Sequence, residues 1–169
     1  MSALRLIIMR HAKSAWGNPS LSDHDRPLND RGRKACTLLG PWLAEHEYLP
    51  DPVPCSRALR TKDTRDGSAP YLPEADIRYD RALYLAEPEA LRAALDRATA
   101  DCVITIAHNP GIAAFAAEMA MAAPAHPRFG NYPTGATTVL DFKARDWGAV
   151  TPASGTVVDF VVPRDLPGP

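Results

Sequence analysis

Arg10 and His11 close an apolar run, Leu4-Arg5-Leu6-Ile7-Ile8-Met9, and His108 closes a second, Cys102-Val103-Ile104-Thr105-Ile106-Ala107. Short runs rich in Leu, Ile and Val, without Pro or Gly, read as buried strands. Each then delivers an imidazole to the carboxyl edge of a sheet, where open α/β folds bind ligands. A third junction has Ser56 as a candidate helix cap and Arg60 one turn into that helix. A lone Arg-His pair reads equally well as a surface pair; the recurrence of His at a second strand end is what singles these residues out. In a parallel sheet the three junctions share one side, which gathers two imidazoles, two guanidinium groups and at least one helix N-terminus. Arg suits bidentate contact with phosphate oxygens, and helix N-termini favour anions. Surrounding cations keep an imidazole neutral and hence nucleophilic, and they stabilise charge on a transferring phosphoryl group. The chemistry indicated is phosphoryl transfer, with phosphate as the bound ion.

The elements that must position these residues alternate along the chain. After the first strand comes a polar loop from Ser14 to Leu28. Asn29 then reads as an N-cap, with Asp30 in the first helical turn. Ala35, Leu38, Leu39, Trp42 and Leu43 form one helical stripe, which Pro41 threatens to kink. A short strand is expected around Val53-Pro54-Cys55, then the helix carrying Arg60 and Thr64, and another strand from Asp76 to Tyr79. Pro88 suits a first helical turn, with Leu91, Ala94, Leu95 and Ala98 facing inward. Pro110 opens a helix expected to run through Phe115 and Met119 to Pro124, and Ala136 to Phe142 and Thr156 to Val161 read as strands that pair as a hairpin. The fold class expected is a three-layer α/β/α sandwich around a mainly parallel, mixed sheet.

At 169 residues, with 46% hydrophobic and 23% charged, the chain has ordinary globular composition and suggests one domain over 1–169, with an irregular Pro-rich tail at 163–169. A net charge of −1 offers no global field for nucleic acid or an anionic membrane. The first apolar run is too short for a membrane span or leader and ends in charge, which predicts a cytoplasmic protein. Cys36, Cys55 and Cys102, odd in number and widely spaced, read as reduced buried thiols.

Three stretches resemble the signatures of the histidine phosphatase superfamily. Leu6 to Ala12 is similar to its first, an Arg-His-Gly core at a strand end. Ser56-Arg57-Ala58-Leu59-Arg60-Thr61-Lys62-Asp63-Thr64 resembles its second, Ser-x-Ala-x-Arg-(Ala/Thr)-x-x-Thr, and Ala107-His108-Asn109-Pro110-Gly111 resembles its third. The order Arg10-His11-Ala12-Lys13-Ser14 and the run Asp25 to Gly32 resemble the SixA-type phosphohistidine phosphatase branch. Ala12 and Ala107 stand where the family has Gly. The resemblance implies His11 as nucleophile, Arg10 and Arg60 as phosphate clamps, and His108 as a stabiliser of the transferring group. For the general acid it leaves Glu87 and Asp23, with preference to Asp23, or neither.

Ser14 is expected to reach a phosphate oxygen and Lys13 to do so or face solvent. Arg26 is expected to tie down the first loop, and Asn109 to cap or turn the chain before Pro110. His24, His46 and His126 read as surface residues. Zinc held by His11, His24 and His108 is disfavoured by the adjacent Arg residues and by the absence of a His-Glu-x-x-His spacing, so no metal or cofactor is expected. The sequence thus indicates a phosphatase working through a phospho-His11 intermediate. The expected substrate is phosphohistidine on a protein, a phosphotransfer domain for instance, because so short a chain leaves little room for a lid over a small metabolite. A small phosphate ester is the alternative, and a phosphate-binding interaction module without turnover is the reading from a different class. A phosphoglycerate mutase, which must shield its phosphoenzyme from water, is disfavoured.

Overall fold

The computed structural model describes residues 3–52, 54–74 and 77–168. Strand β1 (Ala3–Arg10) lies at the centre of a mixed five-stranded sheet of order β2-β5-β1-β6-β7. It runs parallel to β5 (Cys102–Ala107), which in turn pairs in parallel with β2 (Asp51–Pro52). On its other edge it is antiparallel to β6 (Thr137–Lys143), and β6 pairs antiparallel with β7 (Thr156–Val161), the hairpin expected from sequence.

Both faces of the sheet are covered, which is why β1 and β5 are apolar along nearly their whole length. Leu4, Leu6 and Ile8 of β1 and Val103 of β5 pack into one core with helices α3 (Pro88–Leu95) and α4 (Gly111–Met119). The alternate residues Ile7, Met9, Ile104 and Ile106 pack into the opposite core with Leu39 and Leu43 of α1 (Asp30–Glu45). Helix α2 (Leu59–Ser68) packs beside α1.

Local chemistry explains the main element boundaries. Asn29 caps α1 by accepting a hydrogen bond from the Gly32 N–H at 2.8 Å. Gly32 is required there, because a Cβ would lie 2.1 Å from the Lys13 carbonyl oxygen. The buried stripe of α1 is turned slightly from the expected one: Cys36 and Gly40 are buried, whereas Leu38 and Trp42 are only half-buried. Pro88 occupies the first turn of α3.

Three boundaries differ from the sequence expectation. The single strand around Val53-Pro54-Cys55 is instead two pieces, β2 and β3 (Cys55–Ser56), and β3 pairs with β4 (Tyr79–Asp80). Val53 and Asp76 lie outside the described residues. Helix α4 stops at Met119 rather than Pro124, because Ala120 turns extended and bridges to Gly155, whose N–H donates to the Met119 carbonyl at 2.9 Å. At the C-terminal end, the Pro-rich tail opens with a 3-10 turn, Pro163–Asp165, against α1, and 166–168 continue without regular structure.

Burial pushes the thiols of Cys36, Cys55 and Cys102 up to about 11, so all three are protonated at neutral pH. No helix among the described residues is long and apolar enough to cross a membrane.

Candidate active site

The parallel pairing of β1 and β5 sets Arg10 opposite Ala107, so the next residues, His11 and His108, emerge side by side. Their rings lie 5.1 Å apart, centroid to centroid. Backbone bonds clamp this edge: the His11 N–H donates to the Ala107 carbonyl at 3.1 Å, and the Gly135 N–H donates to the His11 carbonyl at 3.0 Å. The first and second motifs are joined directly, since the buried Ala12 N–H donates to Thr64 Oγ1 at 2.9 Å while that hydroxyl donates to the Arg60 carbonyl at 2.7 Å. Thr64→Val strips a buried N–H of its acceptor and is expected to cost about 1–3 kcal/mol, read from urea denaturation.

Helix α2 is unusual in burying polar rather than apolar side chains: Arg60, Thr61, Thr64, Arg65 and Ser68. Such burial is tolerated only where partners exist. Arg60 finds them in the Asp23 backbone carbonyl, at 2.6 Å from Nη1, and the Asp23 carboxylate, at 3.0 Å from Nη2. Its Nε–H donates to His11 Nε2 at 3.3 Å.

His11 Nδ1 lies 2.7 Å from the Ala12 carbonyl, an acceptor only, so Nδ1 carries the hydrogen and Nε2 the lone pair. Burial, followed by the neighbouring His108, Arg60 and Arg10, lowers the His11 ring to about 3 against the opposing pull of the Ala12 bond. Burial and then Arg60 lower His108 to about 3 as well. Both rings are therefore neutral at physiological pH. His108 Nε2 lies 2.6 Å from Ser56 Oγ, and its buried Nδ1 has no partner among the described residues.

These groups open on a cavity of about 160 Å³. Arg10, His11, Arg60 and His108 line it together, as do Ser14 and Lys13. Ser14 is buried and Lys13 exposed. Every charged side chain on this wall is a cation. Arg10 is oriented by the Tyr132 carbonyl, 3.1 Å from Nη1, and leaves Nε unpartnered. Tyr132 has φ +45°, a left-handed conformation that few bulky residues adopt, and its carbonyl serves both Arg10 and the Asn109 side chain.

Several side chains behave differently from the sequence expectation. Ser56 ends β3 and pairs with His108; the residue at the N-cap of α2 is Ala58. Asn109 lines the cavity and donates to the Asn131 and Tyr132 carbonyls, while Pro110 takes the cap of α4. Arg26 does tie down its loop, through Asp23, but it also lines the cavity, with its guanidinium 3.3 Å from the Trp16 ring centroid and Nε and Nη1 unpartnered. His46 is exposed, whereas His24 and His126 are half-buried, against Tyr84 and Phe160 respectively.

Neither acid candidate lies on the cavity wall. Burial pushes the Asp23 carboxyl up, but the Tyr84 hydroxyl, Arg60 and Arg26 together outweigh it and bring it down to about 2. A carboxyl held ionised at neutral pH carries no proton to give, which argues for Asp23 as a positioning group rather than a proton donor. Glu87 is exposed at the N-cap of α3. Tyr84, whose hydroxyl donates to Asp23 and whose ring stands edge-on to His108, was not singled out from sequence; its one signal is a place just after a strand's carboxyl end.

Residues 6–84 match the model of the histidine phosphatase superfamily (branch 1). An uncharacterized protein of Mycobacterium tuberculosis is 34% identical over 163 residues, spanning 92% of this chain and all of the relative. A solved structure from Nakamurella multipartitia, provisionally assigned as the phosphohistidine phosphatase SixA, superposes with a TM-score of 0.83 at 27% identity, covering 96% of this chain and 98% of that one. A second, from Agrobacterium tumefaciens and assigned in the same way, gives a TM-score of 0.74 at 25% identity over 94% of this chain and 97% of that one. On motif, fold and relatives alike, the chain belongs to the histidine phosphatase superfamily, in the branch of the SixA-type phosphatases.

Proposed function

We propose that this phosphatase removes the phosphoryl group from phosphohistidine on a protein, carrying it transiently on His11. The observation that carries this reading is the His11 tautomer: Nδ1–H is committed to the Ala12 carbonyl, so Nε2, which accepts from Arg60 Nε–H at 3.3 Å, keeps an unprotonated lone pair on a residue that lines the cationic cavity. In the first step the Nε2 lone pair bonds to phosphorus as the substrate's N–P bond breaks, and the bonding pair leaves on the substrate imidazole. That ring, already protonated on its other nitrogen by solvent, departs neutral. Water then attacks phospho-His11, releases phosphate and restores Nε2.

Arg10 and Arg26 line the cavity beside Arg60, and their guanidinium groups are the donors assigned to the phosphoryl oxygens. With Ser56 Oγ–H donating to His108 Nε2, the His108 hydrogen sits on the buried Nδ1, and the ring takes its place on the cavity wall as a neutral imidazole. The guanidinium donors stabilise the charge spread over the oxygens in the transition state.

Size supports a macromolecular substrate. Pockets that enclose small ligands measure roughly 300–1,000 Å³, and about 160 Å³ admits the phosphoryl group while leaving the rest of the substrate outside. The mouth carries Trp16 and Leu85, 72% and 50% exposed, a pair of apolar side chains suited to a protein surface. A wall of cations and neutral imidazoles suits a leaving group that departs without an enzymic acid, as protonated imidazole does.

A substrate panel tests the proposal. A phosphohistidine peptide is expected to give kcat/KM about 100-fold or more above sugar phosphates, with phospholysine and phosphoarginine peptides between. Faster turnover of a sugar phosphate overturns the protein substrate in favour of a small ester. In the same panel Arg60→Lys is expected to lose activity on every substrate, because an ammonium cannot reproduce the planar guanidinium that spans His11 and Asp23.

A further inference from the structure

A second depression opens beside the cavity and shares Lys13 and Thr134 with it. It measures about 370 Å³ and lies between α1, the 3-10 turn Pro163–Asp165 and the loop around Pro133. Its rim carries Lys13, Arg31, Lys34, Arg128 and Arg164 and, among the described residues, no carboxylate. The chain as a whole has a net charge of −1, so five cations on one groove are a local concentration that the overall balance does not supply. Arg31, Lys34 and Arg164 are exposed and make no ion pair among the described residues. The adjacent carboxylates of Asp30 and Asp165 are taken by Arg33 and His126.

The floor is apolar, formed in part by Leu38, Pro133 and Val162. Leu38 is one of the two residues of the α1 stripe, with Trp42, that the core leaves half-covered. A discrete anion site needs convergent, desolvated donors such as those around His11. Solvated cations ringing an apolar floor match an acidic chain segment that lays down a side chain or two.

We propose that this groove docks an acidic stretch of the phosphorylated protein substrate, aligning its phosphohistidine with His11. The proposal rests on the function proposed above and adds the substrate's charge to it. Attraction between such surfaces speeds encounter and selects partners, and salt weakens it.

Two phosphohistidine peptides test it, identical except that the phosphohistidine is flanked by glutamates in one and glutamines in the other. The wild-type protein is expected to favour the glutamate peptide about tenfold in kcat/KM at low ionic strength, and the preference is expected to vanish in high salt. In Arg31→Glu/Lys34→Glu/Arg164→Glu the preference is expected to be lost at any salt, with turnover of the glutamine peptide within about twofold of wild type. The corresponding triple replacement by Gln makes the same test without charge reversal, should the first variant fold poorly.

Equal turnover of both peptides by the wild type overturns the groove and leaves the phosphohistidine activity standing. Turnover of neither overturns the proposed function. The groove is then judged on fluorescence anisotropy of a labelled, unphosphorylated glutamate-rich peptide: binding that the triple variant loses supports it, and equal or absent binding rejects it.

Discussion

His11→Ala is expected to lower turnover by roughly four orders of magnitude or more, the scale seen when a nucleophile is removed, and to abolish labelling of the protein by a phosphoryl donor. The other imidazole on the cavity wall, His108, is a poor substitute, because its Nε2 lies 2.6 Å from Ser56 Oγ and its Nδ1 is buried. Activity retained at more than a few per cent would mean that a different group attacks. The same substitution carries a stability signature. The folded His11 ring takes up a proton only near pH 3, whereas the unfolded ring does so near the ordinary histidine value of 6.5. As pH falls below 6.5 the unfolded chain therefore binds the extra proton and the folded state loses stability, by about 1.4 kcal/mol per pH unit for each such imidazole. His108 behaves alike. Between pH 6.5 and 5, above the range where most carboxylates titrate, His11→Ala should lose about half as much stability as the wild type, while at pH 8 the two should differ little. Urea denaturation at pH 5, 6, 7 and 8 reads both slopes. Parallel slopes would show that His11 is not held neutral by its surroundings.

Much of this site was legible because it is written into strand ends. An apolar run covered on both faces can only be a central strand of a layered fold, and a polar residue that follows it abruptly must emerge at the sheet edge. Parallel pairing then places His11 and His108 together without any knowledge of side-chain contacts. Arg60 followed because it lies in the first turn of a helix that starts at the same edge.

The remaining partners belong to loops and to contacts between distant positions, where local pattern carries no signal. Tyr84 meets Asp23 from 61 residues away, and Asn109 reaches carbonyls 22 and 23 residues further on. The end of α4 was misplaced for the same reason: Met119 is a sound helical residue, and it is the distant Gly155 that draws Ala120 into an extended bridge. Ser56 looked like a cap because its type and place allow it, yet its hydroxyl is turned toward His108 instead. Local propensity gives way to a buried tertiary partner there.

Asp23→Asn is expected to reduce kcat by about 100-fold on aryl phosphates, alkyl phosphates and phosphohistidine alike, since the residue positions Arg60 and donates no proton. Its carboxylate accepts from Arg60, Arg26 and Tyr84 together, and those donors hold it ionised down to about pH 2. An amide keeps the volume but turns a donor toward one of the three and removes the charge that orients two guanidinium groups. A general acid leaves a different mark: its loss is severe for basic alkoxide leaving groups and slight for aryl ones. The slope of log kcat/KM against leaving-group pKa, compared between wild type and variant, separates the two. A shared slope with a lowered intercept is the positioning outcome; a steeper slope in the variant would return Asp23 to the role of acid. Glu87→Gln should leave both slope and intercept unchanged, because that side chain is exposed and absent from the cavity wall. With Asp23 held ionised and Glu87 off the cavity wall, the proton is expected to arrive with the substrate, and such a site favours leaving groups that are already protonated.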